Sequence, residues 1–257
     1  MKIFVCIKQV PDTETKIKIS SDNQSIDSTG VKWVMNPYDE YAVEEAIKLK
    51  ESKPGAQVHA ITLGPKARAG EVLRTALAMG ADEGILIDAP ASLDSTATAK
   101  ALAAAITKEG DASLVFTGKL AIDDNQSAVS QMIAEFLNIP HTTVVSKFTY
   151  GPEAITVERD IEGGAKEVVQ MVAPAVVGAN KGLNMPRYAS LPGIMKAKKK
   201  VLKEYSLEAL GVSADNKTKT LSLSLPADKP AVKLLSGDSQ QQVTALVQLL
   251  RDEAKVL

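Results

Sequence analysis

Cysteine is nearly absent: Cys6 is the only one in 257 residues. A single thiol rules out an intrachain disulfide and a cysteine-built metal cluster, and it suits a reducing compartment. Histidine occurs only at His59 and His141. The first lies in an apolar strand pattern and the second follows Pro140, so both read as structural, and no carboxylate–histidine–nucleophile set is visible. Aromatics make up 4% of the chain. A core so poor in rings must be built from Ala, Val, Ile and Leu, which suits a parallel sheet covered by helices on both faces. Neither sign of charge dominates, with 30 Lys and Arg against 31 Asp and Glu. No global field gathers nucleic acid, and the basic run at 196–200 has no aromatics among it. No apolar stretch approaches the ~20 residues of a bilayer span, and the opening M-K-I-F-V-C-I-K is too short for a signal peptide. The expectation is a cytoplasmic protein with no direct membrane insertion, no nucleic-acid partner and no metal site. Neither G-x-x-x-x-G-K-[ST] nor a strand-linked G-x-G-x-x-G occurs, which removes two common phosphate loops.

What is present is an alternation of strands and helices. Residues 2–7 predict a buried first strand, broken at Pro11. The polar stretch 13–30 carries a short alternation at 16–19 and predicts a hairpin at a sheet edge. Asn36, Pro37 and Asp39 have the chemistry of a helix start, as N-cap, first-turn proline and capping acid. That helix runs to about Lys50, with Val43, Ala46 and Ile47 inward. Strands at 57–63, 83–88 and 114–117 alternate with helices at 67–79, from Ser95 or Thr96 to Gly110, and at 126–137. The last of these places Val129, Met132, Ile133 and Phe136 on one side. Such units imply right-handed βαβ crossovers. After Pro140 the period becomes two, at 143–148, 154–159 and 167–172, with turn signals at Gly151-Pro152 and Gly163-Gly164. Residues 175–178 return to the core. Beyond Tyr205 a strand at 220–225, a linker at 226–230 and a helix at 239–255 predict an appended arm. The fold class is therefore α/β: a Rossmann-like open, mostly parallel sheet with helices on both faces, a small antiparallel extension and a C-terminal arm. The domains read as 1–205 and 206–257.

Ligands in open α/β sheets bind beyond the carboxyl ends of the strands, where strand order reverses. Three segments qualify: Cys6 onward, Leu63-Gly64-Pro65, and residues 118–129, with Asn36 beside them. The third leads into a helix N-terminus, which favours phosphate, and Asn125, Gln126 and Ser127 add small polar donors there. Asp123 and Asp124 would repel a phosphate; they suit helix capping or bonds to an adenine or ribose. The other reading, caps and solvated turn residues, stays open on pattern alone.

A second feature is L-N-M-P-R-Y-A-S-L-P-G-I-M-K-A-K-K-K at 183–200. Pro186 and Pro192 restrain the backbone on either side of Arg187, Tyr188 and Leu191, and aromatic and Arg anchors favour interfaces. A strand-to-helix connector with its apolar side chains turned inward is the other reading. This stretch resembles the recognition loop of the beta subunits of electron-transfer flavoproteins. V-E-R-D-I-E-G-G-A-K-E-V-V-Q-M-V-A-P-A-V-V at 157–177 resembles that family's signature, and M-N-P-Y-D-E-Y-A-V-E-E-A at 35–46 and G-K-L-A-I-D-D at 118–124 extend the likeness over nearly the whole chain.

The resemblance implies a heterodimeric electron carrier with no catalytic residues of its own. FAD would be held mainly by an alpha subunit and a structural AMP by this chain. By position, the AMP site would comprise Cys6, Asn36, Pro37, Tyr38, Asp39 and Leu63, with Gly118, Lys119, Leu120, Ala121, Ile122, Asp123, Asp124, Asn125, Gln126, Ser127, Ala128 and Val129. Many relatives carry Gln where Leu120 stands and a glycine after the N-Q-T triplet, which is N-Q-S here. Relatives that bifurcate electrons with a second FAD in this crevice carry T-A-Q-V-G-P, absent here; that reading and an adenine-nucleotide-dependent enzyme are the alternatives. The loop at 179–201 would dock flavin dehydrogenases, such as acyl-CoA dehydrogenases of fatty acid oxidation. Leu191 would be the anchor, with Tyr188, Pro192, Ile194 and Met195 around it and Arg187 and Lys196 orienting the partner. A quinone-reducing oxidoreductase would be the downstream acceptor, and the arm would pack on the alpha subunit.

Overall fold

A computed structural model describes residues 1–229 and 231–257, so Pro230, the end of the expected linker, lies outside the described residues. The chain divides into two compact units, Met1–Lys18 with Asp27–Leu221, and Ile19–Ile26 with Ser222–Leu257.

The larger unit opens with β1 (Lys2–Cys6) and β2 (Gln9–Pro11), followed by β3 (Trp33–Met35) and α1 (Pro37–Ser52). β4 (Gln57–Gly64), α2 (Lys66–Met79), β5 (Glu83–Asp88), α3 (Ser95–Glu109), β6 (Ala112–Gly118) and α4 (Val129–Leu137) continue the alternation. Then come β7 (His141–Tyr150), β8 (Ile155–Asp160), β9 (Lys166–Met171), β10 (Ala175–Ala179), α5 (Leu191–Lys199) and β11 (Lys203–Ser206). Nine strands form one sheet in the order β11-β5-β4-β1-β6-β10-β7-β8-β9, while β2 and β3 pair separately and antiparallel. All ladders from β11 to β7 are parallel, and β8 and β9 add the antiparallel extension at one edge.

Alternation along each strand sorts the core into two layers. Ile3 and Val5 of β1 point with Val58, Ala60 and Phe116 toward α1 and α2, where Val43, Ile47 and Leu73 meet them. Phe4 and Cys6 point the other way, with Ile61, Ile85 and Val115, onto Leu102 and Ile106 of α3 and Ile133 of α4. Each Ile, Leu or Phe buried this completely contributes roughly 1.5–3 kcal/mol. Helices thus cover both faces, as a continuously apolar parallel strand demands.

Several local expectations need correction. Asp94, not Ser95 or Thr96, caps α3, its carboxylate accepting from Ala97 N at 2.9 Å. The helix expected from residue 126 begins at Val129, because Asn125 and Ser127 take left-handed φ values of 52° and 54°. Phe136 of that helix is 46% exposed, while Ile133 is fully buried. The hairpin expected within 13–30 amounts to one bridge, Ile19↔Ile26, and the sheet edges are β11 and β9. β11 was not foreseen. Its K-E-Y-S lacks the apolar content of a buried strand, yet as an edge it needs only one neighbour, β5.

Residues 220–225 do not form the expected strand; within the smaller unit, Leu223 N donates to Asn23 O at 2.7 Å. α6 (Ser239–Asp252) starts with a capping box, Asp238 accepting from Gln241 N while the Gln241 side chain accepts from Asp238 N. Val243, Leu246 and Val247 lie exposed along it. Among the described residues, no helix is long and apolar enough to cross a membrane.

Candidate functional site

Strand order reverses at β1, which sits between β4 and β6. The crevice beyond the carboxyl ends of these strands is where a ligand of an open α/β sheet belongs, and its wall is built around two buried polar side chains. Asn36 is fully buried. It does not cap α1 with its side chain. Its Nδ2 donates to Asp39 Oδ1 at 2.9 Å and to Leu120 O at 2.8 Å, and its Oδ1 accepts from Ile122 N at 3.2 Å. Asp39 is not a capping acid either. Its carboxylate accepts from Lys8 N at 2.7 Å and Gly118 N at 3.0 Å. Together the two residues tie the end of β1, the start of α1 and the loop after β6 into one piece. Burial pushes the Asp39 carboxyl up to about 7, against the downward pull of those N–H donors and the Lys8 charge.

Gly118 is dictated by this contact. A β-carbon there would collide with the Asp39 carboxylate and come within 2.8 Å of Tyr38 Cβ. Tyr38 in turn lies under Lys119, whose Nζ is 4.9 Å from the ring centre. Pro37 occupies the first turn of α1, as its fixed φ favours. Cys6 lies buried beside Asp39, and burial first, then the Asp39 charge, pushes its thiol far up, so it is inert as a nucleophile. Leu63 and Val129 pack at the margin of the same apolar layer as Cys6.

Asp123 and Asp124 do not cap α4. They clamp Lys8 from two sides, at 2.8 and 3.0 Å. Burial opposes the Lys8 charge, yet the two aspartates hold its ammonium above the ordinary range. The loop folds on itself: Asn125 N donates to Ala121 O at 2.9 Å, Gln126 N to Asp124 Oδ1 at 3.1 Å, and Ser127 Oγ to Lys119 O at 2.9 Å. The Gln126 side chain accepts from Ser95 Oγ at 2.6 Å. Ala128 stands at the N-cap of α4 and provides no side-chain cap. The first N–H groups of that nine-residue helix therefore face the loop without a capping side chain, and this fits an anion. Lys8 was missed by sequence reading. Its place two residues past the end of β1 was the available signal.

The second region is 179–201. Its rigidity comes mainly from side chains rather than prolines. Arg187 forks onto α1: Nε and Nη2 reach Glu44 at 2.8 and 3.0 Å, and Nη1 and Nη2 reach Glu51 at 2.6 and 3.0 Å. The Glu44 side chain is 6% exposed and the Glu51 side chain 55%, so the clamp has one desolvated end and one in solvent. Asn184 adds bonds to Tyr41 O and Glu45, both at 2.9 Å. Ser190 caps α5, accepting from Gly193 N at 3.1 Å. Arg187 is thus engaged within its own chain, with its side chain still 35% exposed. Tyr188 is 99% exposed, Leu191 77% and Met195 65%, with Ile194 at 37%; Pro192 and Lys196 are exposed beside them. Glu44 and Glu51, which hold the segment, were also missed. Their signal was only their placement on the predicted α1, since their partner lies well over a hundred residues away.

A family model described as the electron transfer flavoprotein domain matches residues 25–210. The chain is similar to a protein of Bacillus subtilis (strain 168) named electron transfer flavoprotein subunit beta, 43% identical over 262 positions and covering 100% of both chains. It is 40% identical over 261 positions to the mitochondrial subunit of that name in Oryza sativa subsp. japonica, again covering 100% of both. With the Bos taurus protein of that name it shares 42% identity over 235 positions, 90% of this chain and 91% of the other.

Proposed function

Since this chain belongs to the electron transfer flavoprotein family, among its beta subunits, we propose that it forms a heterodimer with an alpha subunit and relays electrons from flavin dehydrogenases, such as acyl-CoA dehydrogenases, to a quinone-reducing oxidoreductase. The flavin, an FAD held mainly by the alpha subunit, supplies the electron-carrying chemistry. This chain contributes two things, a nucleotide-filled platform and a docking surface.

The platform reading places a structural AMP in the crevice. The uncapped start of α4 would hold its phosphate, with the side-chain amides of Asn125 and Gln126 and the backbone of Ser127 adjoining it. Asn125 N, Gln126 N and the Ser127 hydroxyl are spent inside the loop. Cys6, Leu63 and Val129 would wall its base. Asn36 and Asp39 would keep the walls at fixed spacing. No proton or group transfer is asked of these residues. Releasing the bound nucleotide with acid and identifying it chromatographically tests this: AMP is expected, whereas FAD or nothing would overturn it.

The docking reading rests on one observation, the exposed apolar group of Tyr188, Leu191 and Met195 on a segment clamped by Arg187. A rigid apolar projection loses little entropy on association. Leu191 would fill an apolar pocket on the dehydrogenase, with Lys196 on the exposed rim. Hot-spot truncations cost about 2 kcal/mol, so Leu191→Ala should weaken docking roughly thirtyfold. Steady-state reduction of the heterodimer by its dehydrogenase measures this; an unchanged KM for the flavoprotein would remove Leu191 from the interface. The 206–257 arm would lie on the alpha subunit through the apolar side of α6.

A further inference from the structure

At the opposite end of the sheet from the crevice lies a cluster that the electron-carrier role does not use. His59 is the third residue of β4, Glu83 the first of β5 and Glu109 the last of α3. His59 and Glu83 are register partners across the parallel β4–β5 ladder, so their side chains stand together on one face. α3 covers that face, and its end brings Glu109 over the pair. His59 is 3% exposed, yet neither ring nitrogen hydrogen-bonds to any described residue. Phe4 flanks the ring, with centroids 5.4 Å apart, and offers no polar atom. A buried imidazole left this way is costly unless something satisfies it.

The surroundings supply the remaining donors. His59 Nδ1 is 3.3 Å from Glu83 Oε2, and one donor atom from each of the three residues lies within 4.8 Å of the others. The Glu109 carboxylate is already oriented by Tyr205 Oη at 2.6 Å and Lys203 Nζ at 2.8 Å. Each of its oxygens retains a further lone pair. Lys2 Nζ bonds the Glu109 carbonyl at 2.6 Å. Glu83 is half-exposed, which opens a path from solvent.

We propose that His59, Glu83 and Glu109 form a binding site for a divalent cation of the zinc type. An imidazole with two carboxylates suits zinc better than magnesium or calcium, which prefer all-oxygen shells. Zinc ligand bonds of about 2.1 Å place tetrahedral donors roughly 3.4 Å apart, a spacing His59 and Glu83 already have, so Glu109 need only close in. Three protein ligands leave one position for water. Tyr205 and Lys203 then act as the outer hydrogen bonds that orient a ligating carboxylate. Lys2 and Lys203 offset the two acids, which makes the ion exchangeable rather than permanent. Bound there, it would join β4, β5 and α3 and raise stability by mass action.

The test titrates the full chain with Zn2+, using a chromophoric chelator as competitor and following the His59 ring nitrogens by NMR. One ion per chain, a shift of the His59 nitrogens and a raised Tm are expected. Glu83→Gln removes one ligand at the surface and should weaken uptake about tenfold or more with the fold intact; His59→Phe should abolish it. Zinc uptake indifferent to Glu83→Gln, or His59 resonances that do not move on titration, would overturn the site.

Discussion

Asp39 governs the crevice through its position rather than through chemistry. It is buried, accepts from three N–H groups and still titrates near about 7 because desolvation outweighs them. Its folded pKa lies above the unfolded value of about 4, so the folded state binds the extra proton. The stabilisation this represents is complete below about pH 4 and fades as pH rises through about 7. A 13C titration of the Asp39 carboxyl should therefore show a midpoint near 7, and a midpoint near 4 would contradict it. Gly118 faces the same carboxylate. Gly118→Ala should cost about 1–3 kcal/mol through the forced displacement of Asp39 and Tyr38, read as a lowered Tm together with weaker nucleotide retention. Residue types in this region were legible from the sequence and their partners were not. Asn36 and Asp39 have the spacing of a helix start, and α1 does begin at Pro37. A local pattern cannot tell an oxygen aimed at its own helix from one aimed at Gly118, far along the chain. Asp123 and Asp124 misled for the same reason, since their partner, Lys8, lies more than a hundred residues upstream.

At the scale of elements, the segment leading into α5 is held by α1. Truncating Arg187 would leave Glu44 buried without a counter-charge, a loss of about 3 kcal/mol by analogy with other broken buried pairs. Arg187→Ala should lower stability by that order. Combining it with Glu44→Gln should recover part of the loss, and chemical denaturation of the single and double variants measures the coupling. Helices and buried strands were readable because each carries its own period: 83–88 coincides with β5, and α1, α2 and α3 differ from expectation by a residue or two at their ends. The antiparallel extension was readable from its period of two and its glycine turns. β11 was not, because an edge strand satisfied by one neighbour leaves no apolar signature. The late start of α4 follows from the left-handed residues Asn125 and Ser127, which no apolar periodicity reports.

For the molecule as a whole, the larger unit has its own two-layered core, while α6 in the smaller one keeps Val243, Leu246 and Val247 exposed. Elements with little burial exchange their amides readily. Hydrogen exchange along α6 should be fast in the chain alone and slow once the alpha subunit is bound; equal rates in both states would remove the arm from the interface.

The strand order has one more consequence. β10 lies beside β6, whereas β11, which follows α5, closes the far edge beside β5. The intervening residues must stride across β6, β1, β4 and β5, about 24 Å at the usual strand spacing. The projection bearing Leu191 therefore sits on a crossing anchored by β10 at one end and by β11 at the other. If this projection is the surface a redox partner grips, as proposed, a chain in which β11 has not joined β5 would present it without its second anchor.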